Sequence, residues 1–265
     1  MVSQDFCEEF GRRYAQMKNF VVCVYAPYTN DVDIISVYCD AHKFFYFFVW
    51  CDMEAHTKKL NMVYNDDMIT IVALGNPGEA YHDTRHNIGW MVMEYVIRKR
   101  GVHPLVPSSL YTALITDGVL YGEDIEVLFP TTFMNKSGSS VKRYLDTRKD
   151  AHETTPTLVV VHDDIAIPFG DIRVSINRGA GGHNGVRSII QSLGTTDFMR
   201  IRIGIAHVTV FGNIKQPESD RLSKYVLAKL KPTEMRKLDA VGEKVDRALE
   251  LLITRGVEVA MRECN

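Results

Sequence analysis

Apolar positions change character along the chain at about residue 68. From there the runs are regular. Ile69 to Leu74 (ITIVAL) is a continuous apolar stretch ending in Gly-Asn-Pro-Gly, the pattern of a strand buried on both faces that runs into a tight loop. The period then changes: Ile88, Met91, Val92, Tyr95 and Val96 recur at i, i+3, i+4, i+7 and i+8, which predicts a helix over Ile88 to Arg100. Asn87 is placed to cap its start, Arg98 to Arg100 suit its negative end, and Gly101 suits its stop. Strands are predicted at about 112–117, 125–129, 157–161, 171–176 and 200–206, with a helix near 184–193 that Asn184 can cap. Tyr225 to Leu227 is a short apolar segment. A long amphipathic helix is predicted from about Thr233, with Met235, Leu238, Val241, Val245, Leu249 and Leu252 on one face, and Gly256 ends it. Strands separated by helices predict an α/β sheet covered on both faces.

Before residue 68 the pattern is less regular: an apolar run from Phe20 to Tyr25, a turn signal from Pro27 to Asp31, and the aromatic run FFYFFVWC from Phe44 to Cys51. These read either as two or three strands or as poorly folded sequence, and the pattern does not choose between the two. The aromatic run is far too short to span a bilayer and reads as a buried strand. The chain is therefore divided into an N-terminal extension, residues 1–67, and a domain, residues 68–265.

Composition narrows the class. The 265 residues are 46% hydrophobic and 24% charged, the balance of a soluble globular protein, and the domain is long enough to need no disulfide or metal staple. Four of the five cysteines fall in the first 67 residues and none forms C-x-x-C, so reduced thiols in a cytoplasmic setting are expected. Asp5, Glu8 and Glu9 at the start argue against a secretory signal or a transit peptide. The net charge of −2 gives no global attraction for nucleic acid, so any such contact must rest on a local patch. Charge is uneven: residues 1–67 hold six Lys+Arg against ten Asp+Glu, and the remainder holds 25 against 23.

The sequence contains no G-x-S-x-G elbow, Walker loop or H-E-x-x-H, and the proline in Gly-Asn-Pro-Gly makes a dinucleotide loop a poor reading. Instead, polar residues stand at the ends of apolar strands: Asn76, His86-Asn87, Asn135, Asp163 and His183-Asn184, the last pair after the glycine-rich turn Gly179 to Gly182. In open α/β sheets these strand ends gather at one rim. A histidine there can take a proton from water, and a carboxylate on its other nitrogen fixes the tautomer. Asparagines can hold a carbonyl, a water or an oxyanion. Such a set suits hydrolysis of an activated ester, without metal or covalent nucleophile. Taken singly, each residue has a plainer reading: Asn76 and Asn184 as turn residues or caps, Asn87 as a cap, His86 as a structural histidine. His82 and His86 lie four apart but precede the predicted helix and lack an acidic partner nearby, so no metal is expected.

Five segments together resemble the bacterial-type peptidyl-tRNA hydrolase family: Leu74 to Gly89 (LGNPGEAYHDTRHNIG), Pro130 to Gly138 (PTTFMNKSG), His162 to Gly170 (HDDIAIPFG), Gly179 to Gly185 (GAGGHNG) and Arg200 to Ile205 (RIRIGI). They come in the family's order, and the resemblance covers about 68–263. It implies one compact domain, a mixed, largely parallel twisted sheet between helices, acting as a monomer without cofactor. The implied reaction is cleavage of the ester joining a peptide to the 3′ end of tRNA, recycling tRNA from prematurely released peptidyl-tRNA. By match to the motifs, His86 is the base and Asp163 orients it, Asp164 being its competitor. Asn76 and Asn184 bind the terminal adenosine and the substrate carbonyl, or the attacking water. Asn135 holds the peptide backbone, and Tyr81, Met134 and His183 line the site. His207 falls where the family often has His or Arg, with no chemistry assigned. Where the family often carries a basic residue for the tRNA 5′-phosphate this chain has Ser175; Arg173 or Arg178 would substitute, with Arg202 as the partner clamp. Arg98, Lys99 and Arg100 read as a solvated helix end, and Arg200 and Arg202 as a strip on one strand face.

Two other functions are compatible with the residues. One is a non-catalytic, RNA- or partner-binding relative of the intron-splicing type, which a transit peptide and an apolar partner surface would favour. The other is a general small-ester hydrolase using the same site.

Overall fold

The computed structural model describes residues 20–25, 33–39, 43–49, 68–151, 157–209, 214–215, 217 and 221–265. It divides into two compact units, Met1–Asn65 and Asp66–Asn265. In the first, β1 (Phe20–Tyr25), β2 (Asp33–Cys39) and β3 (Lys43–Val49) form an antiparallel sheet in that order. The predicted turn from Pro27 to Asp31 and the burial of the aromatic run lie outside the described residues.

The second unit is built on β4 (Ile69–Ala73), a run with no polar outward face because both of its faces are covered. Its neighbours are β7 (Glu123–Pro130) and β8 (Thr157–Pro168), both parallel to it, and β10 (Met199–Val208) lies parallel beyond β8. Antiparallel strands flank this centre. On one side are β6 (Ala113–Leu120) and β5 (Val106–Ser108); on the other, β9 (Ile172–Ile176) and β11 (Ile214–Lys215) both pair with β10. The chain thus leaves β4 toward β7, then returns to the other side of β4 with β8. That reversal opens a crevice at the strands' C-terminal ends.

Alternation along the strands sorts the core into two layers. Ile71, Ala73, Val127, Val159, Val161, Ile201 and Ile203 pack against α1 (Ile88–Arg100), α6 (Leu238–Arg255) and α7 (Val257–Cys264). Val72, Leu74, Leu128, Leu158 and Val160 pack with α2 (Ser137–Ala151) and α3 (Asn184–Leu193). Two short helices, α4 (Leu222–Val226) and α5 (Pro232–Met235), precede α6. Among the described residues no helix is long and apolar enough to cross a membrane.

Several elements depart from the expectation. The helix α2 was not predicted. Its first turn, Ser137-Gly-Ser-Ser, favours caps and turns, but Gly138 presses onto α3, where an added Cβ would lie 2.1 Å from the Ser188 carbonyl oxygen. Close helix packing here overrides local preference. The terminal α7 and the edge strand β5 were also unread. The long C-terminal helix is interrupted: Pro232 starts the separate turn α5, the Glu234 carboxylate accepts from the Lys231 N–H at 2.7 Å, and α6 begins only at Leu238. Met235 is consequently exposed. The strand β8 runs on through His162, Asp163 and Asp164, which were placed after its end.

Lys99 and Arg100 are not a merely solvated helix end. Arg100 donates to Asp246 of α6 through Nε at 2.9 Å and a terminal nitrogen at 2.6 Å, Lys99 donates to it at 2.9 Å, and the Tyr121 hydroxyl joins from the β6–β7 turn. Arg200 does not emerge beside Arg202 either. It is buried, and its guanidinium donates to the carbonyls of Arg178 and Gly179, bracing the glycine-rich turn.

Candidate active site

Four chain segments meet at the crevice. Asn76 follows β4; His86 and Asn87 close the loop that leads into α1; Met134 and Asn135 follow β7; Asp163 lies in β8; His183 and Asn184 open α3.

Asp163 is the centre of this set. Its Oδ1 lies 2.7 Å from His86 Nδ1 and 2.9 Å from His183 Nε2. The ring hydrogens can be assigned from the partners. His183 Nδ1 accepts the backbone N–H groups of Gly185 and Val186, at 3.1 and 3.2 Å, so its hydrogen sits on Nε2 and points at Asp163. An ionised carboxylate accepts only, so His86 donates from Nδ1. The lone pair of a neutral His86 is then on Nε2, which has no partner among the described residues.

The electrostatics agree. Burial favours protonation of Asp163, but the two imidazoles override it and hold the carboxyl far below the usual range. Burial alone would lower the pKa of His86; the charge and hydrogen bond of Asp163 outweigh it and raise the value above 6.5. His162, adjacent in sequence, behaves in the opposite way. It is fully enclosed, donates from Nδ1 to the Asp163 carbonyl at 2.7 Å, and is held well below 6.5 chiefly by burial and by its neighbour His183. Asp164 is not a competitor for His86: its carboxylate is taken by Arg202 at 2.8 Å and by the Ala166 N–H at 2.7 Å.

His86, Asp163 and His183 also form the one group among the described residues with metal-ligand composition, their ligand atoms lying within 4.8 Å of one another. The chemistry opposes coordination. His183 Nε2 carries a hydrogen for as long as Nδ1 accepts two helix N–H groups, and moving that hydrogen to Nδ1 would set it against both.

The asparagines divide differently from the sequence reading. Asn87 occupies the cap position of α1, but its side chain makes no cap bond. Instead it clamps the Asn76 backbone, accepting from Asn76 N–H and donating to Asn76 C=O, each at 2.9 Å. The Asn76 side chain accepts the Met134 N–H at 2.8 Å, which fixes its oxygen and leaves its NH2 to donate. Asn184 does not cap α3; His183 does, and Asn184 is the exposed first helical residue, accepting from Arg187 at 3.1 Å. Asn135 is exposed in a one-turn helix beside buried Met134. Gly185 permits the junction, since a Cβ there would lie 2.5 Å from the Met134 sulfur and 3.1 Å from the His183 ring.

The Tyr81 ring stands edge-on to exposed Phe133, with centroids 6.3 Å apart. Phe133 was not singled out in the sequence, although it precedes Met134 in a matched motif. Arg85 was also missed. It is buried beside the base, donating to the carbonyls of Ala228 and Lys229 at 3.3 and 3.0 Å and to Glu234 at 2.6 Å, so it ties the His86 loop to the segment before α6. No local pattern announces a buried arginine whose partners lie more than a hundred residues away. Of the basic candidates, Arg173 and Arg202 face each other across β9 and β10, Arg173 also reaching the Asn265 carbonyl at 2.8 Å. Arg178 is exposed at the head of the glycine-rich turn, and Ser175 is buried opposite Arg200.

Comparison with known proteins fits this geometry. The model of the peptidyl-tRNA hydrolase family matches residues 70–265. A protein of Syntrophotalea carbinolica named peptidyl-tRNA hydrolase is 40% identical over 198 residues, covering 75% of this chain and 97% of its own. One of Thermodesulfovibrio yellowstonii with the same name is 41% identical over 201 residues, covering 75% and 99%. The crystal structure of peptidyl-tRNA hydrolase from Acinetobacter baumannii superposes with a TM-score of 0.65 at 32% identity, over 76% of this chain and 96% of that one.

Proposed function

The chain belongs to the peptidyl-tRNA hydrolase family, and from that premise we propose that it cleaves the ester between a peptide and the 3′ end of tRNA, recycling tRNA from prematurely released peptidyl-tRNA. The observation that carries the mechanism is the Asp163 carboxylate accepting from two imidazoles, which leaves the lone pair of His86 on Nε2. His86 Nε2 takes a proton from water as the water oxygen attacks the ester carbonyl carbon. The NH2 of Asn76 is the donor for the developing oxyanion. When the tetrahedral intermediate collapses, the bond to the ribose oxygen breaks, and His86 returns the proton to that oxygen. The products are a peptide acid and tRNA with a free 3′-hydroxyl. Asp163 stays ionised throughout and stabilises the imidazolium.

Asn135, Asn184, Tyr81 and Met134 are assigned to the peptide and the terminal adenosine, and His183 to holding Asp163. Arg173, Arg178 and Arg202 are assigned to tRNA phosphate, which predicts binding that weakens steeply with salt. The reading includes a monomer working in the cytoplasm without cofactor or metal, with residues 68–265 as the hydrolase domain and 1–67 as an extension.

Turnover of N-blocked aminoacyl-tRNA against the unblocked form tests it. The full chain should cleave the blocked ester, and His86→Ala should lose about 10²–10⁴-fold in rate or more while still folding and binding tRNA. Near-normal rates in the variant would sink the assignment of the base. Tight tRNA binding without cleavage by the unaltered chain would make it a binding relative instead.

A further inference from the structure

Beyond the Asn76–Asn87 clamp, away from Asp163, lies a hollow of about 220 Å³. Buried Asn76 and Asn87 line it together with exposed His82, so it shares Asn76 with the proposed catalytic crevice. Trp90 and Met91, both half-buried, give it an apolar side. The indole is held in place: Nε1 donates to the Ala73 carbonyl at 3.0 Å, and the ring lies so close over Gly75 that a Cβ there would come within 2.6 Å of it. The exposed Glu79 and Glu94 stand at the mouth, and neither carboxylate has an ion-pair partner among the described residues. Although Glu94 is exposed overall, partial desolvation of its carboxyl raises the pKa, while His82 and Arg98 nearby pull it down.

This is an apolar wall with two carboxylates that have no ion-pair partner among the described residues. A long basic side chain matches both the wall and the acids: its methylenes lie along the indole and thioether, and its cation reaches the carboxylates. Phosphate does not match, because the carboxylates repel it. The arginines of β9 and β10 lie on the β10 side of Asp163, whereas this hollow lies on the β4 side.

We propose that the hollow is a subsite for a lysine or arginine side chain of the peptide, within the two residues nearest the ester. The proposal rests on the hydrolase reading above.

The test uses the full chain and N-acetyl-dipeptidyl-tRNAs on one tRNA, with lysine or the uncharged norleucine at either peptide position. At one of the positions kcat/KM should favour lysine by about fivefold, the worth of an exposed ion pair. The preference should fall to about one in the Glu79→Gln/Glu94→Gln variant. Should that variant fail to fold, raising salt from about 0.05 to about 1 M must erase the preference in the unaltered chain. Equal rates for lysine and norleucine at both positions, or a preference that survives the double substitution or high salt, overturn the subsite alone. Failure to cleave any of the esters overturns the hydrolase reading and the subsite with it.

Discussion

Asp163 receives two imidazole hydrogens on one oxygen, and the histidines that give them are held differently. His183 is tied to α3 through its other nitrogen, whereas the second nitrogen of His86 has no partner among the described residues. A base works only when unprotonated, so kcat/KM should rise with pH through the pKa of His86, with a midpoint above 6.5. Asp163→Asn removes the influence that raises this pKa and leaves the burial that lowers it. The midpoint should therefore move to lower pH. The maximal rate should fall less than in His86→Ala, because a carboxamide oxygen can still accept from both rings. A pH–rate profile decides both points; a midpoint that moves upward would refute the electrostatic account. Asn87 offers a separate test. Removing its side chain in Asn87→Ala frees two bonds on the Asn76 backbone and should lower kcat by roughly 10- to 100-fold, with KM changed little. Steady-state kinetics showing an unchanged kcat would remove the clamp from the mechanism. These relations were only partly legible in the sequence. His86, Asp163 and Asn76 stand beside apolar strand ends, where the chemistry of a rim can be expected. The role of Asn87 depends on a partner across a loop, and that of His183 on a helix start shifted by one residue.

At the level of elements, the side chain of Asp246 ties α6 to the last turn of α1 and to the β6–β7 hairpin. Its carboxylate is buried, while Lys99 and Arg100 remain about one-third exposed, so solvent screens part of the attraction. Asp246→Ala should cost about 2–3 kcal/mol, measured by urea unfolding, with the active-site geometry kept. A loss below roughly 0.5 kcal/mol would make the cluster a surface ornament energetically. The elements that were readable share one property: their own side chains decide their fate. The run at β4 is apolar throughout, and α1 carries its period and its glycine stop. The helix α2 is the counterexample. Val141, Tyr144 and Leu145 are the apolar side chains it buries among its described residues, and its serine-rich start becomes helical because α3 packs on it. The break before α6 is similarly non-local, since Glu234 is shared between Lys231 and Arg85.

For the whole molecule, the reversal of strand order around β4 explains why residues from four distant segments converge, and why three of those segments carry motifs at strand ends. Family matching begins at residue 70, and the second unit has its own core on both faces of the sheet. A chain beginning at Met68 should therefore fold and hydrolyse the blocked ester at a rate within about twofold of the full chain, a difference of less than 0.5 kcal/mol in barrier. Insolubility or a large loss of rate would make residues 1–67 part of the working domain.

The two-layer core also bears on how a copy of this chain is made. Vectorial synthesis delivers β4 and the base loop first, β8 and the helix carrying His183 later, and after them α6, whose Val241, Val245 and Leu249 seal one face of the sheet. Contacts so distant in sequence form late. Until that helix has left the ribosome, the sheet has one uncovered face. A nascent copy is itself a peptide esterified to tRNA, yet its own crevice rests on an unfinished core. A copy stalled before α6 has emerged therefore lacks the support to cut itself loose in cis, and its rescue falls to finished molecules acting in trans.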